Sequence, residues 1–266
     1  MAVLTISRQL GSIDKEITQT MARLWGYEYI DRRKILEDIS SQGSQWEEFG
    51  KEFDEHYPNM WERFDRSYTG FVILSQSIIL SHALKDNVII VGRGGNFLLR
   101  DVPFALNVRI VAPREQRLEA IMKRESLSRS AAELLVKKID KEISKAVQLI
   151  YGKNINDPSA YDLFFDVGVL PVHDVMAAIR TALLEKDKLK TEDAVKALQM
   201  KALAKKVRAG IVTNPKLYIP VFDVLPGEYQ LLVTGIVHNP EERKNVENAV
   251  KDLAGSVPVE FSLHYR

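Results

Sequence analysis

The sequence predicts an α/β first unit built on a parallel sheet covered on both faces, followed by a small α+β unit of order αββαβ. Three observations carry this. Apolar runs recur with helical stretches between them: AVLTIS at 2–7, NVIIVG at 87–92, LNVRIVA at 106–112 and YDLFFDV at 161–167. Short β-rich runs of this kind, alternating with helices, mark parallel strands buried on both sides. The composition then changes at KDKLKTED, 186–193, which is polar and has no apolar periodicity. Beyond it come a helix, two strand-like runs, a helix and a last strand-like run. A chain of 266 residues is long enough for two cores of this kind.

Taken in order, the first strand feeds the turn TISRQLGSIDKEI, 5–17, and an amphipathic helix begins behind it. A strand that enters a helix through such a turn is where backbone N–H groups and a helix N-terminus together favour an anion. A short strand at YEYID, 27–31, precedes a long, mostly helical insertion rich in aromatics, from Arg32 to Lys85. Its most apolar stretch, FVILSQSIIL at 71–80, is interrupted by serines and a glutamine. It is far short of the ~20 residues that span a bilayer and reads as a buried helix. After the strands at 87–92 and 106–112 come a helical pair over 113–151, the strand at 161–167 and a closing helix at 172–186. The domains are therefore drawn at 1–185 and 193–266, with a linker at 186–192. In the second, a helix near 193–209 leads to strands at 217–224 and 229–237, a helix at 240–253 and a strand at 257–265. Asn239-Pro240-Glu241-Glu242 is a strong helix start, with a capping side chain, proline at the first position and acids in the first turn. Gly255 ends that helix. There is no repeat at solenoid spacing.

Composition narrows the function. Lysine plus arginine number 37 and aspartate plus glutamate 36, so net charge gives no support to nucleic-acid binding. The absence of cysteine removes disulfides, thiolate nucleophiles and cysteine zinc sites. MAVLTIS lacks the features of a signal peptide, and a cytoplasmic protein is expected. His56, His82, His173, His238 and His264 show no zinc-ligand spacing. No G-x-S-x-G elbow or protein-kinase signature set is present. Trp25, Trp46 and Trp61 lack basic interleaving and are expected in core packing or a domain contact.

On TISRQLGS (5–12), GYEYIDRRKI (26–35), VIIVGRGGNFLL (88–99), RIVAPREQRLEAIMKR (109–124) and NDPSAYDLFFDV (156–167), the first 185 residues or so resemble the cytidylate kinase-like family, a branch of the P-loop nucleoside-monophosphate kinases. The resemblance implies a P-loop kinase-type five-stranded parallel sheet with helices on both faces and a helical, arginine-bearing lid. It implies transfer of phosphate from ATP, with Mg, to a nucleoside monophosphate such as CMP. Such a reaction needs positioning and charge neutralisation above all, so arginines are the residues to follow. Arg93 stands at the end of a strand among Gly92, Gly94 and Gly95, which let a backbone come close. By resemblance Arg93 and Gly94 hold the acceptor phosphate; a surface arginine in a tight turn is the plainer reading. Asp31, by resemblance on the acceptor-nucleoside side, is equally an N-cap for the helix that follows. Arg114, Arg117 and Arg124 share one helix face, as lid arginines would, although Glu115, Glu119 and Glu125 could neutralise a merely solvated face. Arg8, Gly11, Ser12 and Lys15 are the candidate ligands of the ATP phosphates, with Lys15, Arg93, Arg114 and Arg117 the candidate catalytic set.

The departures matter as much. The family's loop has Gly-Ser-Gly-Gly and then a basic residue, whereas here the chain reads Gly11-Ser12-Ile13-Asp14-Lys15. If Ile13 needed positive φ it would cost about 1–2 kcal/mol. A carboxylate at Asp14 beside triphosphate oxygens is a like-charge contact costing several kcal/mol. Asp14 can instead cap the following helix, with Glu16 offsetting its dipole, so that the helix carries its own anion. The family's basic residue three positions after the lid aspartate is Ile143, following Asp140, and its Asn-Thr pair is Asp166-Val167. These changes set a working but weakened kinase against an inactive kinase fold kept as a nucleotide sensor or scaffold.

The C-terminal unit resembles a BON domain in its αββαβ order and in YQLLVTGIVHNPEERKNVENAVKDLAGSV, 229–257, with Gly235 after the central strand. That family implies binding to phospholipid surfaces or to other proteins. Glu241, Glu242 and Glu247 dilute the lysines of the second helix, which favours a small regulatory or dimerising module over a membrane contact. A nucleotide is the expected partner of the first unit, and homo-oligomerisation is left open.

Overall fold

The computed structural model describes residues 2–13, 15–55, 65–217 and 219–266. Asp14, His56 and Trp61 therefore lie outside the described residues. The chain divides into two compact units, one of residues 1–34 with 85–191 and the other of 35–84 with 192–266.

In the first unit, strands β1 (Val3–Arg8), β2 (Glu28–Ile30), β3 (Val88–Val91), β4 (Ala105–Val111) and β5 (Leu163–Asp166) form one sheet of order β2-β3-β1-β4-β5. Every pairing in it is parallel. Parallel neighbours need crossover connections. They are supplied by α1 (Lys15–Trp25), α6 (Arg114–Glu125) and α7 (Arg129–Tyr151), with a four-residue helical turn, α5 (Gly95–Leu98), after β3 and α8 (Val172–Asp187) after β5. One sheet face is apolar: Leu4, Ile6, Val108 and Ile110 pack with Met21 of α1 and with Val175, Ile179 and Leu183 of α8. Removing this surface from water, at roughly 25 cal/mol per Å2, is the main force holding the unit. The expected five-stranded parallel sheet is present. The strands carry the same apolar runs read in the sequence, with their ends shifted by one or two residues.

The second unit joins α3 (Ser44–Glu55) and α4 (Arg66–Ala83) to α9 (Glu192–Val212), β6 (Phe222–Pro226), β7 (Leu231–Val237), α10 (Pro240–Ala254) and β8 (Val259–Tyr265), while α2 (Arg32–Ser40) enters it from the first. Its sheet runs β6-β7-β8, antiparallel then parallel. The predicted αββαβ order holds. The predicted strand at 217–224 begins only at Phe222. Pro220 has no N–H to give a ladder, Leu217 is buried in the core, and its carbonyl accepts from Arg66 at 2.5 Å. Arg66 also donates to the carbonyls of Val212 (3.1 Å) and Asn214, so one guanidinium satisfies the open C-terminal end of α9. Asp65 caps α4 by accepting from the Ser67 N–H at 2.6 Å. FVILSQSIIL lies within α4, which packs on α9 as the buried helix that was expected.

This grouping differs from the sequence boundaries in the place of residues 35–84, because the apolar faces of α4 and α9 meet each other. The stretch 186–192 consists of the last turn of α8, a turn over 188–191 and the first residue of α9. Asn239 caps α10 as predicted, accepting from the Glu242 N–H at 2.8 Å. Among the described residues no helix is long and apolar enough to cross a membrane.

Candidate functional site

Strands β3 and β1 are neighbours at the point where strand order reverses, and ligands of open α/β sheets bind beyond the carboxyl ends of such strands. Two loops meet that description. After β3, Gly92 (φ 76°), Arg93 (φ 56°) and Gly94 (φ 70°) stand in succession in the left-handed region. For arginine this costs about 1–2 kcal/mol and persists only where the surroundings hold it. They do: the Gly92 N–H donates to the Ile6 carbonyl at 2.9 Å, and the Tyr151 phenol donates to the Arg93 carbonyl at 3.2 Å. A Cβ at Gly94 would lie 2.2 Å from the Tyr151 ring, so the glycine is obligatory twice over. Tyr151 in turn stacks on Phe97, with ring centroids 5.4 Å apart.

The loop after β1 is arranged differently. Gly11 has φ 79°, and a Cβ there would come within 2.7 Å of the Arg117 carbonyl oxygen. Ser12 is buried, and its hydroxyl donates to the carbonyls of Gln9 (2.8 Å) and Ile110 (3.2 Å). Arg8 donates to the Ile13 carbonyl at 2.6 Å. Ile13 is 4% exposed and belongs to the core beside Ile6 and Val108. It is not among the residues with positive φ, so the strain expected of it is absent and the side chain instead anchors the loop. Lys15, the first residue of α1, pairs with Asp31 at 2.6 Å. Burial would raise the Asp31 carboxyl, but the Lys15 hydrogen bond and charge and the N–H groups of Lys34 and Arg33 outweigh it and hold it below the ordinary range. Asp31 thus does both things read for it, ending β2 as an ion-pair partner and capping α2 through the Lys34 N–H at 3.2 Å. A loop serving Mg-ATP needs a serine hydroxyl and a lysine free for phosphate and metal. Here both are bonded within the protein, so a phosphate would have to exchange with Asp31, across a partly exposed pair, and with the Gln9 and Ile110 carbonyls.

The lid arginines are separated by burial. Arg114 is exposed at the start of α6. Arg117 is 5% exposed, donates to the Leu10 carbonyl at 2.8 Å and clasps both carboxylate oxygens of Asp140 at 2.7 and 2.8 Å. Arg124 pairs with Glu125 at 2.8 Å. Arg117 therefore ties the loop after β1 to both α6 and α7, with its Nε and Nη2 engaged within the protein. Ile143 is partly exposed on α7, and Val167 packs against the core.

Sequence reasoning missed the second face of the sheet. Thr5 and Ser7 of β1 stand in register with Asn107 and Arg109 of β4. The Thr5 hydroxyl donates to Asn107 Oδ1 at 2.8 Å, and Arg109 donates to the Ser7 hydroxyl at 2.8 Å and to Asn156 Oδ1 at 3.2 Å. Tyr161 donates to the Ile155 carbonyl at 2.8 Å, and burial raises its phenol above the ordinary range. Burial likewise pushes the Arg109 guanidinium down. The signal was present as polar residues at every second position of two otherwise apolar strands, T-I-S and N-V-R, in phase with each other. Of the histidines, His82 is buried against Asp38 at 2.6 Å and His238 lies 3.0 Å from Glu242. Among the described residues no acid and histidine cluster could hold a metal.

Residues 3–169 match the family model described as the cytidylate kinase-like family. The chain is 26% identical over 182 residues to a cytidylate kinase of Pyrococcus abyssi, covering 68% of this chain and 93% of that protein. It is 26% identical over 186 residues to a cytidylate kinase of Methanocaldococcus jannaschii, covering 68% and 97%. A crystal structure of an uncharacterized protein from Eubacterium ventriosum superposes with a TM-score of 0.55 at 17% identity, covering 69% of this chain and 98% of that one, and so shares the fold. With a match over most of the first unit and the parallel sheet to go with it, this chain belongs to the cytidylate kinase-like family.

Proposed function

We propose that the first unit binds a nucleoside monophosphate such as CMP through the turn at Arg93, and that phosphoryl transfer from Mg-ATP is strongly weakened by the loop at 8–15. The observation that carries this is the Lys15–Asp31 pair together with the engaged Ser12 hydroxyl. Groups already hydrogen-bonded gain little by exchanging partners, since the net worth of such a bond is only about 0.5–1.5 kcal/mol. Arg93, with Gly94, is the acceptor-side ligand in this reading. Arg8, Gly11 and Ser12 shape the loop, and Arg114 is the exposed lid arginine able to reach a nucleotide. A second reading, a working kinase, is favoured by the family match and by the pairing of Lys15 at a partly exposed position, where ion pairs are worth about 1 kcal/mol or less and break readily. A steady-state assay of CMP phosphorylation with Mg-ATP decides between them. Turnover near that of ordinary kinases, about 1–100 per second, sinks the first reading.

For residues 193–266 the αββαβ order supports a BON-like module that contacts a partner protein, in a chain acting in the cytoplasm. The domain boundaries carry their own test. Proteolysis in the turn at 188–191 should give two fragments that stay together, because α4 from one packs on α9 from the other. Fragments that separate on gel filtration, with 193–266 still folded by circular dichroism, would support the boundary drawn from the sequence.

A further inference from the structure

We propose that Arg109 is the centre of an oxyanion subsite in the first unit, taking a phosphoryl dianion in the cavity beside the loop after β1. The side chain is 3% exposed and lies mid-strand in the sheet. Its hydrogen bonds go to two neutral oxygens, on Ser7 and Asn156, and its Nε–H has no partner. Among the described residues no carboxylate lies within ion-pair distance of it. A buried charge left in this state costs several kcal/mol unless something compensates it.

The cavity next to it supplies the place for that compensation. It has a volume of about 60 Å3 and is lined by Arg8, Gln9, Asp140, Ile143 and Asn156 as well as by Arg109. One water needs at least roughly 10–15 Å3 and takes about 30 Å3 in the liquid, so the space admits about two waters or one small anion. Charge points the same way. Arg8 and Arg109 line the cavity, and Asp140, the carboxylate at its wall, is already clasped on both oxygens by Arg117. Three guanidiniums thus face one carboxylate. Guanidinium and phosphate form short, charge-assisted bonds, often two at a time, which is the geometry that an unfilled Nε–H invites. The cavity borders the loop after β1 and the lid positions Asp140 and Ile143, so the proposal rests on the nucleotide-binding reading of the first unit, while phosphate binding is read separately from turnover.

The test titrates inorganic phosphate into the intact protein at constant ionic strength, following binding by calorimetry and the melting temperature in parallel. The parent should bind phosphate and melt higher in its presence. Arg109→Gln should lose at least about tenfold in phosphate affinity, the loss expected when a charged hydrogen-bond partner is removed. Because a substitution at a buried site could unfold the protein, Asn156→Asp provides the second arm. It places a carboxylate on the guanidinium, so it should raise the melting temperature without phosphate and abolish the further rise with it. A parent that binds no phosphate at millimolar concentration overturns the proposal, and so does phosphate binding that both variants leave unchanged. The source of the phosphoryl group is read in the same experiment. If phosphate competes with CMP or ATP, and Asn156→Asp weakens that nucleotide, the subsite holds a nucleotide phosphate. If phosphate binds and the nucleotides are indifferent to it, the subsite serves free phosphate.

Discussion

The loops that follow β1 and β3 leave neighbouring strands at the same end of the sheet, yet they use their residues in opposite ways. After β3 three successive residues take left-handed φ, which strains Arg93 between two permissive glycines, and a tyrosine from the end of α7 holds it there. After β1 the backbone is relaxed at Ile13, and the polar groups of Arg8, Ser12 and Lys15 are all bonded to the protein itself. Strain is retained where the surroundings keep it against a cost, whereas the loop after β1 satisfies its polar groups within the protein. On the proposed reading, the loop after β3 is the acceptor side of the family's site and the loop after β1 a weakened donor side.

Replacing the strained arginine should break the comparison most visibly. Arg93→Ala is expected to weaken CMP binding, and any turnover, by well over tenfold, since a preorganised charge contact in a dry site is worth about 2.7–4 kcal/mol. Unchanged calorimetric affinity would remove Arg93 from the site. Next in size is Ile13→Ala. If this residue is the anchor of its loop, truncation should cost about 2–4 kcal/mol in urea unfolding, as for other buried large-to-small changes. A cost under half a kcal/mol would show that the loop is not held by its core contact.

These two loops also show what could be read from the sequence. The five strands were legible because buried parallel strands must be apolar throughout, and the cap at Asn239 because its chemistry is local. The family's glycine pattern made strain at Ile13 conditional on positive φ, and that condition is not met because this loop takes a path on which a β-branched residue faces the core. For Arg117 helical spacing gives a face but not a partner, and its partner, Asp140, stands on another helix. Residues 35–84 are assigned to a unit by which apolar face meets α9, a long-range fact that no local period contains. Arg109 was passed over for a related reason. One charge in an apolar strand acquires meaning only when Ser7 is seen beside it.

A smaller effect sharpens the donor side. Asp31→Asn keeps a good N-cap for α2, so it isolates the ion pair with Lys15. Stability should fall by less than about 1 kcal/mol, given the partial exposure of the pair. The pH dependence has a definite sign. The folded carboxyl is held below its ordinary value of 3.8, so its contribution is fully present above that value and is lost as pH falls through the lowered one. The difference between parent and variant should therefore close only under acid conditions. Freed from its carboxylate, Lys15 should also bind Mg-ATP more tightly in the variant. Weaker ATP binding would mean that Asp31 itself supports the nucleotide.

The central claim is that the acceptor side has outlasted the donor side, and separate calorimetric titrations of the intact parent protein with CMP and with Mg-ATP test it most directly. The account predicts that CMP binds more tightly than Mg-ATP, and that the preference for CMP disappears in Arg93→Ala. Mg-ATP binding as tight as CMP or tighter would contradict it, and would make the loop at 8–15 a working phosphate cradle in spite of its internal bonds.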